Sequence, residues 1–108
     1  MPFRGNAPAL WYDRRMDLIY HDDAIAQLDF YEEHDPQAYA AFDEILELLE
    51  NNPADDRLRR HLIRPAGAFA VRVFPKGRAP EPAHYLFWIP EPDDVAYIKW
   101  LGKANASF

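Results

Sequence analysis

The chain has 108 residues, enough for one domain with a single modest core. Its hydrophobic fraction of 49% excludes an intrinsically disordered chain. Because it has no cysteine, it can form neither disulfides nor thiolate metal sites, and it has no thiol nucleophile. The net charge of −6 argues against a uniformly basic surface of the kind that grips nucleic acid nonspecifically. The start lacks an apolar targeting segment, and the longest apolar runs, such as Tyr85–Ile89, are too short to span a bilayer. We therefore expect a cytoplasmic protein with no membrane partner.

The charge is divided along the chain. The acidic segment, Asp17–Asp56, holds thirteen Asp and Glu residues and no Lys or Arg. The basic segment, Arg57–Arg78, holds seven Lys and Arg residues and no acid. This division predicts an acidic helical layer and a positive edge or face on a sheet, where an anion such as a phosphate backbone or an acidic peptide would bind.

In chain order, residues Met1–Arg15 predict an irregular arm, and Met16–Tyr20 predicts a short strand. A helix follows, with Asp22 or Asp23 as its N-cap. Its predicted apolar face consists of Ile25, Leu28 and Tyr31.

The second helix has the clearest signals. Asp35 is expected to cap it, and Pro36 occupies the first helical position, where a missing N–H costs nothing. Helical spacing then predicts a buried face of Ala38, Tyr39, Phe42, Ile45, Leu46 and Leu49. The sequence Asn51-Asn52-Pro53 ends the helix.

Past this point the pattern changes to that of strands. Strands are predicted at Arg60–Arg64, Ala68–Phe74, His84–Ile89 and Asp94–Leu101. Turns or loops are predicted at Pro65–Gly67, Pro75–Ala83 and Pro90–Asp93. The order β-α-α-β-β-β-β indicates an α+β fold, with a two-helix hairpin packed on a mostly antiparallel sheet of four to five strands. We expect a single domain, 1–108, with its core in 16–103 and a tail in 104–108.

Three segments resemble the RelE/ParE superfamily of bacterial toxins. Ile45–Pro53 is similar to the end of that family's second helix. Gly67–Phe74 resembles its strand with a glycine, an aromatic residue and an arginine. Ile98–Lys103 is similar to its terminal strand, especially in the HigB-like branch.

This resemblance implies a toxin that pairs with an antitoxin protein, as a homodimer or a toxin–antitoxin hetero-oligomer, without a cofactor. RelE- and HigB-like members inhibit translation by cutting mRNA on the ribosome. By position, Arg72 matches the strand arginine that contacts phosphate in those RNases, and Lys103 and Lys99 lie near the basic residue of the last strand. The alternative for Arg72 is a structural ion pair with Asp13 or Asp94.

A second functional class stays open. ParE-like members inhibit DNA gyrase without an RNase site, and a degenerate member would act by protein binding alone. The tail Ala104–Phe108 has neither the His nor the Tyr that the family's RNases usually carry near the site. That absence and the acidic helices favour this class. Arg72 on its strand and the HigB-like terminal strand favour the RNase, which is the function we expect, with binding alone as the alternative.

The remaining charged residues each have a structural and a functional interpretation. A basic edge that binds RNA phosphates is predicted from Arg57, Arg59, Arg60, Arg64 and Arg78, although charge on an edge strand also guards against aggregation. His61 and His84 lie on different strands without a partner motif, so a structural role is favoured over catalysis. No metal site is expected, because three adjacent residues such as His21-Asp22-Asp23 cannot all face one ion.

Overall fold

A computed structural model describes residues 15–79 and 82–104. Its elements, in chain order, are β1 (Asp17–Tyr20), α1 (Asp22–His34), α2 (Pro36–Asn51), a 3-10 helix (Asp56–Leu58), β2 (His61–Ile63), β3 (Ala68–Val73), β4 (His84–Glu91) and β5 (Val95–Lys103). The predicted order is confirmed, and the 3-10 helix is an addition that the sequence did not predict. The predicted arm and tail lie outside the described residues, except for Arg15 and Ala104.

The five strands form one sheet in the order β1-β5-β4-β3-β2. β1 pairs in parallel with β5, while every other pair is antiparallel, which confirms the mostly antiparallel prediction. β4 is longer than predicted, because it runs through Pro90 to Glu91, and β5 ends two residues later than predicted, at Lys103. The turn that follows β4 is made by Asp93 and Asp94, whose positive φ angles of 66° and 59° are tolerated by Asp better than by most residues.

The N-caps of the two helices are different types of residue. For α1 the expected Asp cap is wrong, because His21 is the N-cap and its Nδ1 accepts the backbone N–H of Asp23 at 3.0 Å. Asp22 and Asp23 lie in the first turn instead, where their negative charges interact favourably with the positive end of the helix dipole. For α2 the prediction is confirmed, since Asp35 Oδ1 accepts the backbone N–H of Ala38 at 3.3 Å.

Both helices contribute to a single core against one face of the sheet. The largest fully buried side chains are Phe42, Leu49, Leu58, Leu86, Trp88, Ile98 and Leu101. In α1 the buried side chains are Ala24 and Tyr31, with Leu28 partly buried between them. Ile25 was predicted to share that face but is 46% exposed, because the stripe at i, i+4 and i+7 begins one residue earlier, at Ala24.

Candidate functional site

A groove of about 360 Å³ opens between α2 and the edge of β3. In the described sheet, β2 pairs with β3 only from Ala68 to Ala70, so that the next stretch of β3 has no β2 partner along its edge. The residues that line the opening, which we call the arginine groove, are Ala41, Glu44, Ile45, Arg57, Arg60, His61, Val71, Arg72, Val73 and Phe74.

The 3-10 helix holds two of these arginines in place. Its N-cap, Asp55, accepts the backbone N–H of Arg57 at 2.9 Å and the Nε of the same residue at 3.0 Å. Leu58 is fully buried, and its carbonyl accepts the indole N–H of Trp88 at 2.9 Å. These contacts fix the 3-10 helix against the core. The backbone positions from which Arg57 and Arg60 reach the groove are therefore fixed as well.

Arg72 reaches the groove from β3. Val71 and Val73 point into the core, and the half-buried Arg72 points to the other face, as the strand alternation predicted. Its guanidinium carbon lies 5.2 Å from the ring centroid of Phe74 and 5.9 Å from that of Tyr85, its pairing partner on β4. Contact with two aromatic rings restricts the guanidinium.

Acidic side chains already partner much of the positive charge. Arg57 pairs with Asp55 at 3.0 Å, and Arg60 pairs with Asp56 at 2.8 Å. The side-chain hydrogen bond from Arg57 lowers the pKa of the Asp55 carboxyl and in turn raises the pKa of Arg57. The edge predicted to be positive therefore carries less uncompensated charge than the sequence indicated, since the last acids of the acidic segment fold back onto the first arginines of the basic segment.

The other arginines predicted to bind RNA do not line the groove. The Nε of Arg59 donates to the carbonyl of Pro53 at 3.2 Å, and its guanidinium lies over the Phe69 and Trp88 rings at 5.7 and 5.2 Å. Arg64 is exposed in the turn after β2. Arg78 lies in the loop between β3 and β4.

The two predicted lysines lie on β5, which β4 separates from β3. Lys103, the last residue of β5, is paired with His84 at the start of β4. Lys99 is exposed at the irregularity where the pairing changes register. Of the three residues predicted to be catalytic, the structure thus brings Arg72 alone to the arginine groove. Asp13, one of the two structural partners suggested for Arg72, lies outside the described residues.

Sequence reasoning gave no functional role to two residues of the groove. Glu44 belonged to the acidic segment without a role of its own, and a structural role was favoured for His61. Ala41, Glu44 and Ile45 do follow helical spacing, but the sequence does not show which face of α2 meets the edge of β3. The charge pattern therefore identified the arginines of the groove but neither Glu44 nor His61.

Residues 15–79 and 82–104 contain no group of three or more His, Asp or Glu side chains placed to hold a metal ion. Neither of the two helices there has the length and apolar character required to cross a membrane.

The fold is similar to that of solved YoeB structures. A YoeB dimer from Staphylococcus aureus superposes with a TM-score of 0.61 at 13% identity, covering 86% of this chain and 100% of the other. A YoeB-YefM complex from the same organism gives 0.59 at 12% identity, with the same coverage of both chains. A heterotetrameric YoeB-YefM toxin-antitoxin complex gives 0.58 at 13% identity.

Sequence comparison adds nothing to this structural likeness. No family model matches the chain, and no curated protein matches it. At 12–13% identity the likeness shows the fold alone. The predicted RelE/ParE-like architecture is confirmed. The residues of the arginine groove are the basis for inferring an activity.

Proposed function

We propose that this protein is the toxin of a toxin–antitoxin pair and that it inhibits translation by cutting mRNA in the arginine groove. The single observation that carries this proposal is the convergence of Arg57, Arg60 and Arg72 with His61 and Glu44 in one groove. The structural relatives include complexes of YoeB with YefM, which supports a protein antitoxin as the partner of this chain.

The groove contains the types of group that RNA cleavage requires. In this reaction the 2′-oxygen attacks the adjacent phosphorus, a base takes the 2′-hydroxyl proton, and an acid protonates the departing 5′-oxygen. Glu44 and His61 are assigned to these two proton transfers. Arg72, held between two rings, is assigned to the negative charge that builds on the phosphorane oxygens.

The proposal is tested by Arg72→Ala in cells and on ribosomes. We expect the unchanged chain to arrest bacterial growth and to cut ribosome-bound message, and Arg72→Ala to cut about 10²–10³-fold more slowly, as when one stabilising cation or donor is lost. Arg64→Ala is the matched control, because it removes an exposed arginine outside the groove. Undiminished cleavage by Arg72→Ala would overturn the assignment.

A second candidate function is binding without catalysis, as in a gyrase inhibitor of the ParE kind. It is favoured by the ion pairs that Arg57 and Arg60 already make with Asp55 and Asp56. The same experiment separates the two, since growth arrest with intact message, unrelieved by Arg72→Ala, would support the binding protein and contradict the RNase.

A further inference from the structure

A second, smaller pocket lies beyond Phe74, under the loop between β3 and β4. It has a volume of about 70 Å³, and Val73, Phe74, Pro75, Arg78, Ala79 and His84 line it. Val73 and Phe74 also line the arginine groove, so the two openings are neighbours. This volume is sufficient for one small tetrahedral anion.

A buried histidine lines this pocket without a full set of hydrogen bonds. His84 is 3% exposed, and its Nε2 has no hydrogen-bond partner among the described residues. The ring is held edge-on against Tyr31 and Phe42, with centroids 6.2 and 6.0 Å away. Buried polar atoms are normally paired, so the unpaired Nε2 of a residue that lines a cavity leaves a hydrogen bond that a partner from solution could supply.

The charges around His84 favour an anion as that partner. Arg78 binds Asp35 through Nη1 and Nη2 at 2.6 and 2.7 Å, which uses two of the five guanidinium N–H donors. Lys103 is paired directly opposite His84, so the two side chains are neighbours on the sheet. Arg78 and Lys103 against Asp35 leave one net positive charge.

The protonation state of His84 is consistent with this environment. Burial is the main cause that lowers its pKa, and the positive charges of Lys103 and Arg78 lower it further, while Asp35 opposes them. The imidazole is thus neutral at neutral pH and has one N–H to donate. An anion held by Arg78 would stabilise the protonated ring and raise the pKa of His84.

We propose that this pocket binds a single phosphate group, with Arg78 and His84 as its hydrogen-bond donors. The phosphate is either free or part of an RNA strand that continues from the arginine groove past Phe74. The second source rests on the proposed function, whereas the first does not depend on it.

The test follows the ring resonances of His84 by NMR during titration with inorganic phosphate, with chloride at matched ionic strength as the blank. We expect a saturable shift with phosphate and none with chloride. Arg78→Gln should weaken binding about tenfold or more, the effect of losing a hydrogen bond from a charged donor. Lys76→Gln is the matched control, because it removes a positive charge from the same loop outside the pocket.

Several outcomes would overturn the proposal: no saturable shift, equal affinity in Arg78→Gln, or equal weakening by Arg78→Gln and Lys76→Gln. If Arg78→Gln fails to fold, Lys103→Gln replaces it, and unchanged affinity there would count against the site. A short oligoribonucleotide that displaces inorganic phosphate would identify RNA as the source, and binding that it does not displace would identify free phosphate. Phosphate binding in a chain that does not cut message would separate this site from the proposed function.

Discussion

Asp35 stabilises two parts of the protein with one carboxylate. It caps α2 by accepting the Ala38 N–H, and it binds both terminal nitrogens of Arg78, which lies in the loop between β3 and β4. The side chain is 21% exposed, so the ion pair is partly shielded from water. The hydrogen bond from Arg78 is the main cause that lowers the pKa of Asp35 from 3.8 to about 2.

Two substitutions separate these roles of Asp35. Asparagine caps helices as well as aspartate does, so Asp35→Asn should lose the ion pair and keep the cap. Asp35→Ala should lose both and be less stable than Asp35→Asn by about 1 kcal/mol, the usual cost of removing a cap. Urea unfolding at neutral pH measures the difference, and equal stability of the two variants would show that the cap contributes nothing.

The lowered pKa of Asp35 also predicts a pH dependence. The folded protein holds this carboxyl proton less tightly than the unfolded chain does. The contribution of the ionised Asp35 to the free energy of unfolding is therefore fully present above the ordinary pKa of 3.8. That contribution is lost as the pH falls from there through about 2. Across this window the stability difference between the unchanged chain and Asp35→Asn should shrink. A difference that stays constant in urea midpoints measured across this window would contradict the assignment.

At the scale of elements, β5 depends on a glycine near its end. Gly102 has a φ of 152°, and a Cβ there would lie 3.0 Å from two ring carbons of Trp100. That ring stacks on Phe87 with centroids 5.3 Å apart, which limits its freedom to move aside. The position therefore restricts both the backbone and the side chain.

Gly102→Ala should accordingly destabilise the protein by about 1–3 kcal/mol, the range for a residue held in a sparsely populated conformation. Gly67→Ala is the control, since its φ of 70° carries the backbone strain but nothing lies within 4 Å of the added carbon. Thermal unfolding compares the two, with Trp fluorescence to report a displaced ring. An equal loss in both variants would show that contact with Trp100 costs nothing.

The elements also show where sequence patterns are informative. α2 could be predicted to its ends because its cap, its first-turn proline and its terminating Asn-Pro are local signals. The extension of β4 through Pro90 could not, because a proline normally argues against a strand. The pairing of β3 with β4 reaches only as far along β4 as Trp88. Pro90 therefore pairs with β5 alone, and its other side has no neighbouring strand. On that open side the missing N–H of Pro90 costs no hydrogen bond.

The candidate site was less predictable than the fold. The basic segment identified the arginines, but the three that line the groove are selected by the 3-10 helix and by the early end of β2, and neither had a sequence signal. Arg59, between two groove arginines in sequence, instead packs on Phe69 and Trp88. Which charged residues converge is decided by tertiary contacts that residue spacing does not record.

At the scale of the whole molecule, the charge remains uneven after folding. The acidic segment supplies both helices, and its ion pairs with the basic segment take up Asp35, Asp55 and Asp56. The other acids of the helical layer repel one another across the surface. This repulsion opposes the compact state and is screened by salt over about 10 Å at 0.1 M and about 3 Å at 1 M.

Added sodium chloride should therefore raise the urea concentration at which the protein unfolds. Glu47→Gln, an exposed substitution on α2, should raise the midpoint at low salt and reduce its response to salt. A midpoint that falls as salt is added would mean that the surface ion pairs stabilise the protein more than the repulsion destabilises it.

The parallel pairing of β1 with β5 has a consequence for biosynthesis. Asp17 pairs with Val95 and Tyr20 with Ile98, so within the described sheet the first strand to be translated has only the last one as its partner. While Val95–Lys103 is still inside the ribosome, β1 has no neighbour, and the helices lack Ile98 and Leu101 as packing partners. A nascent chain stalled before that point exposes apolar helix faces and an open strand, which favours aggregation over function.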